Sequence, residues 1–135
     1  MLGHSKRWLV LLGALVITIL TIWNYSVAKT KARWLLWSRD YKSKVLSQPS
    51  SFSGELKHIE WEGWGWAGMD TTVYLVFDPA DSLSSAATRR LSGRFNGVPC
   101  EVFRVRRLES QWYTAQFYTG EDWDSCKSKT QQTPN

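Results

Sequence analysis

Few side chains in this sequence have the type and spacing for chemistry, and His58 comes first among them. It is the only histidine after His4, with Lys57 beside it and Glu60 two positions on. Residues i and i+2 of a strand share one face about 7 Å apart, so His58 and Glu60 have the geometry of an acid–base pair. A surface imidazole beside a carboxylate has the same signature and does no chemistry. Neither a Ser-His-Asp constellation nor a cysteine nucleophile with a located base can be assigned, so no catalytic residue is named and a small hydrolase using His58 is kept as an alternative only. Cys100 and Cys126 make an even pair without a C-x-x-C, which fits one disulfide in an oxidising compartment or two thiols in a reducing one. With His4 and His58 as the only histidines, a metal site has no support, and no cofactor is expected.

Gly63, Gly65 and Gly68 match G-x-G-x-x-G, but a dinucleotide cradle needs a helix to start at the glycines, and a strand is predicted next. Bulky Trp64 and Trp66 would also crowd such a cradle. The candidate ligand-binding residues are therefore the indoles themselves. Trp61, Trp64 and Trp66 on a Gly-rich loop form an aromatic platform able to stack on sugar rings or on a protein partner's apolar groups. Rings that fill the core or close a turn are the competing reading. Arg104, Arg106 and Arg107 could bind phosphate or an acidic partner, whereas Glu101 and Glu109 nearby favour a solvated strand face.

The chain has 135 residues and 15.6 kDa, which excludes a multidomain enzyme. Nine Trp, five Tyr and five Phe exclude a solvated tail, because so many rings must be buried somewhere. The net charge of +5 is unevenly placed. Six basic residues between Lys29 and Lys44 face only Asp40, while from Val45 onward nine basic residues face eleven acids. The folded part is slightly acidic, so nucleic-acid binding is not expected.

Trp8 to Ala28 is a run of 21 residues without a charge, bounded by Lys6-Arg7 and Lys29. At about 1.5 Å of rise per residue, about 20 residues cross a hydrocarbon core of about 30 Å, so a transmembrane helix over 8–28 is predicted. A chain this small has no other apolar element large enough to wrap such a helix as a buried core. Trp8, Trp23 and Tyr25 then stand at the two membrane boundaries, with Lys29, Lys31, Arg33, Trp34 and Trp37 just beyond, where each basic residue near anionic lipid is worth about 1 kcal/mol. A cleaved signal peptide fits Lys6-Arg7 and Ser26-Val27-Ala28 in part. Its apolar core would be at or beyond the usual upper length, and Asn24-Tyr25 makes a poor cleavage region. The side of the membrane stays open: the basic flank favours a cytoplasmic domain, and a Cys100–Cys126 disulfide favours a periplasmic one.

Beyond the span, Trp34, Trp37, Tyr41 and Val45 share one face of an amphipathic helix over 29–48, which either continues the span, lies at the interface or packs on a sheet. Pro49 in a Ser-rich loop stops it. Strands are predicted at Glu55–Trp61 and at Thr71–Phe77, the latter buried on both faces. A short helix over Leu83, Ala87 and Leu91, capped by Asp81 or Ser82 and closed by Gly93, separates them from a hairpin of 98–108 and 111–119. The fold class is α+β: a membrane helix, an amphipathic helix and an antiparallel sheet of about four strands with one intervening helix. The boundaries are a tail at 1–7, the span at 8–28, the juxtamembrane helix at 29–48, the α+β domain at 49–126 and a disordered tail at 127–135.

The stretches 31–46 (KARWLLWSRDYKSKVL), 54–79 (GELKHIEWEGWGWAGMDTTVYLVFDP) and 99–118 (PCEVFRVRRLESQWYTAQFY) resemble those of small single-span bacterial membrane proteins. The resemblance implies an inner-membrane location and carries no activity or ligand to any residue. The leading expectation is a membrane-anchored, non-enzymatic interaction module whose partners are the lipid bilayer and an unidentified protein or glycan. A pilin-like structural subunit is the other alternative. A long N-terminal helix, an antiparallel sheet and a late cysteine pair fit it, but Gly3-His4-Ser5 lacks the Phe and the near-terminal Glu of processed pilins.

Overall fold

The apolar first third of the chain forms one helix, α1 (Gly3–Leu46), in a computed structural model that describes residues 3–49, 54–66, 69–118 and 120–131. The expected boundary near 28 is absent, because nothing between Ala28 and Lys31 breaks a helix. The chain divides into two compact units, Met1–Ser38 and Arg39–Asn135. In the first, every described side chain from Arg7 to Lys29 is exposed, Leu9 and Ile17 among them. Three polar side chains in this apolar run bond to the carbonyl four residues back: Thr18 Oγ1 to Ala14 at 2.8 Å, Thr21 Oγ1 to Ile17 at 2.8 Å and Asn24 Nδ2 to Leu20 at 2.9 Å. Such bonds bend helices. Among the described residues no single helix is long and apolar enough to cross a membrane; Arg7–Ile22 and Val27–Leu46, set at 48° to each other, meet the requirement only together.

The second unit is an antiparallel sheet of β1 (Lys57–Trp66), β2 (Met69–Phe77), β3 (Arg104–Glu109) and β4 (Trp112–Tyr118) in the order β1-β2-β4-β3. The α+β class and the four strands are as the sequence predicts. Leu75 and Val76 are consecutive, point to opposite faces, and are both 0% exposed, so β2 is covered on both sides. One face carries Tyr74, Val76, Val105, Tyr113, Ala115 and Phe117 against α2 (Ser84–Arg89) and α3 (Trp123–Gln131). The last turns of α1 lie on the other. Val45 is fully buried, the Tyr41 ring is 4.5 Å from that of Trp61, and Lys42 pairs with Glu109 while lying 5.7 Å from the Trp112 ring.

Four expectations need correction. The Gly-rich stretch is no loop: Gly63 to Trp66 continue β1, paired with Thr72 to Met69. Residues 67 and 68 lie outside the described residues. β3 starts at Arg104 rather than Val98, with only a Gly93–Val102 bridge before it. Neither Asp81 nor Ser82 caps α2, and Arg90 in the left-handed region, not Gly93, ends it. The buried carboxylate of Asp78 holds the first turn, accepting from Ala80 N at 3.1 Å, Ser82 Oγ at 2.8 Å and Leu83 N at 2.8 Å. Finally, Lys127 to Gln131 are helical, not a disordered tail, as the end of α3; residues 132–135 lie outside the described residues. The signal for α3 is Asp122-x-x-Ser125, a reciprocal capping box: Ser125 N donates to Asp122 Oδ1 at 2.7 Å and Asp122 N to Ser125 Oγ at 3.1 Å.

Asp78→Ala leaves the buried Leu83 N, the Ala80 N and the Ser82 hydroxyl without their acceptor. It should lower unfolding free energy by about 1–3 kcal/mol in chemical denaturation, whereas Ser82→Ala should cost about 1 kcal/mol or less.

Candidate functional site

His58 sits where β1 meets the start of α3. Its ring stacks on that of Trp123, with centroids 3.8 Å apart and planes at 22°, and meets Tyr74 edge-on at 5.6 Å. Nδ1 lies 3.0 Å from the Leu56 carbonyl, the only hydrogen-bond partner of His58 among the described residues. In the neutral ring Nδ1–H donates to that carbonyl. Burial depresses the imidazole pKa more than the Leu56 bond and the charges of Glu55 and Asp124 raise it. Glu60 shares the face, as the strand spacing predicts, but makes no hydrogen bond to His58 and is exposed. The acid–base pair is not assembled, and the imidazole serves as a ring in an aromatic stack.

The carboxylate that matters here is Glu55. Its Oε1 accepts from Trp123 Nε1 at 2.7 Å and its Oε2 from Lys127 Nζ at 2.9 Å. Burial raises its pKa, and the bonds from Lys127 and Trp123 outweigh that and leave it lowered. Trp123 N donates to the Tyr74 hydroxyl at 3.4 Å. One turn along α3, Cys126 is bonded to Cys100 with Cα atoms 5.6 Å apart, an ordinary disulfide separation. Glu55, Trp123 and Lys127 escape sequence reasoning because their contacts span about 70 residues of chain, beyond any local pattern.

A second polar knot ties the turn after β2 to the β3–β4 hairpin. Asp81, in the left-handed region at φ 54°, accepts from the Tyr113 hydroxyl, from Gln111 N at 2.8 Å and from Arg107 at 3.3 Å. These bonds lower its pKa, the Tyr113 bond most. The Tyr113 hydroxyl is pushed up to about 12 by burial and by that carboxylate.

The three candidate platform residues do not form one surface. Glu60 stands opposite Tyr74 and Glu62 opposite Val73, so Trp61 is the extra residue of a β-bulge. The bulge re-aims its ring onto Tyr41, and Trp61 is 4% exposed, whereas Trp64 is 50% exposed. The Trp66 side chain lies outside the described residues. Gly65 gives room for the Asp70 carboxylate, which lies where a Cβ would stand. Of the residues expected at a membrane boundary, Trp8, Tyr25, Lys29, Lys31 and Trp37 are exposed, Arg33 is half-buried, Trp34 is buried, and the Trp23 side chain is outside the described residues. Arg107 is taken up by Asp81, while Arg104 and Arg106 stand on the opposite face of β3. Among the described residues no group of three or more His, Cys, Asp or Glu could hold a metal ion. Comparisons with protein-family models, with curated proteins and with solved structures find no match for this chain.

Trp61→Ala should cost about 3–5 kcal/mol of stability and Trp64→Ala no more than about 0.5 kcal/mol, read from denaturant midpoints. The depressed His58 pKa has a definite sign. The unfolded chain takes up the proton first, so stability falls as pH drops below about 6.5 towards the folded-state value. His58→Gln should flatten that slope. Loss of stability that begins only near pH 4.5, the Glu55 range, in both proteins would show that His58 does not contribute.

Proposed function

We propose that this chain is a membrane-tethered interaction module whose folded unit works on the oxidising side of a bacterial inner membrane. The observation that carries the tether is the exposed apolar run of α1, in which Thr18, Thr21 and Asn24 satisfy their polar groups on the helix's own carbonyls. Lipid demands that of any polar group it surrounds. The bend at 23–26 is then a feature of the tether at its polar end, beside Asn24 and Tyr25. The disulfide supports the compartment: Cys100 and Cys126 are buried within the core, and reducing cytosol would keep such a pair as thiols. Closing a loop of 26 residues is worth about 3.5 kcal/mol to a unit this small. His58 and Glu55 are committed to packing Trp123, which favours binding over hydrolysis.

A pilin-like subunit is the second reading. It is favoured by one specific feature, a long N-terminal helix ahead of an antiparallel sheet.

C-terminal fusions of the full chain to alkaline phosphatase and to a fluorescent protein that matures only in the cytoplasm test the placement. Active phosphatase is expected, with thiols that react with a maleimide only after reduction. A fluorescent fusion with freely reactive Cys100 and Cys126 would overturn it.

A further inference from the structure

Two buried side chains, Trp123 and Cys126, anchor α3; its other described side chains are half-buried or exposed. The Trp123 ring sits in an aromatic cage. His58 stacks on it, and Tyr74 and Phe117 approach with centroids 5.6 and 5.8 Å away. Glu55 adds a polar hold one turn long, accepting from Trp123 Nε1 and from Lys127 Nζ. Cys126 is bonded to Cys100, in the segment between α2 and β3. That segment is itself fixed, by the Gly93–Val102 bridge and by Leu56 N donating to the Gly97 carbonyl at 3.0 Å. A helix of nine residues does not sustain itself in water, so the position of α3 depends on the ring and the disulfide together.

The sheet does not depend on α3 in the same way. Its ladders pair β1 with β2, β2 with β4 and β4 with β3, and α3 takes no part in them. Its far face is closed without α3, with Leu75 and Trp112 buried there beside the last turns of α1. On the near face Ala86 of α2 is buried beside β3. An opening confined to α3 therefore needs less free energy than unfolding the unit. It also controls access to the disulfide. Cys100 and Cys126 are both buried, and thiol–disulfide exchange requires an attacking thiolate to reach one of the two sulfurs, so α3 must lift before the bond can be reduced.

We infer that α3 is a redox-released latch: with Cys100–Cys126 intact it keeps Trp123 in the cage of His58, Tyr74 and Phe117, and reduction by a dithiol lets α3 leave while the four strands stay paired. One thiolate of the dithiol attacks one sulfur of the pair, forms a mixed disulfide and expels the other sulfur as a thiolate. The second thiol of the dithiol then displaces the remaining cysteine. The Cys100–Cys126 bond is broken, each of its sulfurs ends as a thiol carrying a proton from the dithiol, and the dithiol is oxidised to a disulfide. Released α3 uncovers three rings and the Glu55 carboxylate on one sheet face. The interaction module proposed above thereby has a closed and an open state, and the latch rests on that reading for the bond being formed at rest.

The test compares the full chain in mild detergent, oxidised and after treatment with dithiothreitol, by hydrogen exchange read in a mass spectrometer. On reduction the amides of 123–131 should lose their protection while those of β2 and β4 keep it, and trypsin should cut after Lys127 and Lys129 in the reduced protein only. Cys100→Ser with Cys126→Ser should match the reduced protein without any dithiothreitol. Glu55→Gln keeps both cysteines but weakens the hold on Trp123 and Lys127. It should speed the appearance of maleimide-reactive thiols in dilute dithiothreitol about tenfold, the factor that matches one lost charge-assisted hydrogen bond. Unchanged protection of 123–131 after reduction would overturn the latch, because the ring would then hold α3 alone. Loss of protection in β2 and β4 along with α3 would overturn it too, making the disulfide a staple of the whole core, as would a Glu55→Gln protein reduced no faster than wild type. Each of these results leaves the phosphatase fusion, and with it the tethered module, untouched.

Discussion

Trp123 is fully buried, and the folded unit is arranged so that it can be. An indole removes about 150–250 Å² from water, which at about 25 cal/mol per Å² is roughly 5 kcal/mol, provided its N–H groups find acceptors. Here Glu55 accepts from the ring and Tyr74 from the backbone, and His58 covers one face. Each partner is held in the protonation state the task needs: the imidazole biased to neutral by burial, the carboxylate biased to ionised by Lys127 and Trp123. The helix that delivers Trp123 has little else to hold it. Apart from Trp123 and Cys126, α3 is polar, and nine residues are too few to be helical alone. A capping box at one end, one ring and one disulfide replace the apolar stripe that most surface helices use.

That economy explains which parts of the architecture were legible in the sequence. β2 and the β3–β4 hairpin are legible because β-branched and aromatic residues concentrate there, although β2 and most of β4 are buried on both faces, and the face of Tyr41 and Val45 is legible because its spacing is helical. Three features leave little local pattern in the sequence, each for a physical reason. α3 has no apolar periodicity, so only Asp122-x-x-Ser125 marks it. Trp61 changes role through a single inserted residue, since a one-residue shift in register moves a side chain to the other face. The first turn of α2 depends on Asp78, a buried carboxylate that reaches forward to Leu83 N, where the sequence pattern points to an adjacent N-cap. The candidate site was half visible. His58 stood out by type, but Glu55 and Lys127 approach it only through the fold.

The same topology sorts charges that the sequence scatters. Arg90 comes from α2 and Arg104 and Arg106 from β3, while Glu60 comes from β1 and Asp124 from α3. Placing the first and third strands at opposite edges puts Arg104 and Arg106 at one edge and Glu60 at the other, on opposite faces of the sheet. Asp81 then pairs with Arg107, and Lys127 with Glu55. A count of residues along the chain gives a folded part that is near neutral and hides this separation of Arg104 and Arg106 from Glu60.

The basic stretch from Lys29 to Lys44 deserves the same treatment. Taken as six positive charges beside an apolar run, it argues for a domain on the cytoplasmic side. Arg39, Lys42 and Lys44 belong, however, to the folded unit. Lys42 is bound to Glu109 and lies against Trp112, and Lys44 lies 5.8 Å from the Tyr41 ring. Lys42, engaged against the sheet, is a poor membrane anchor. Within the first unit, Lys29, Lys31 and Arg33 after the apolar run stand against Lys6 and Arg7 before it, a nearly even balance. On the proposed tether, with charge that close to even, the oxidation state of Cys100 and Cys126 carries the greater weight for orientation, because long segments translocate largely without regard to their charge.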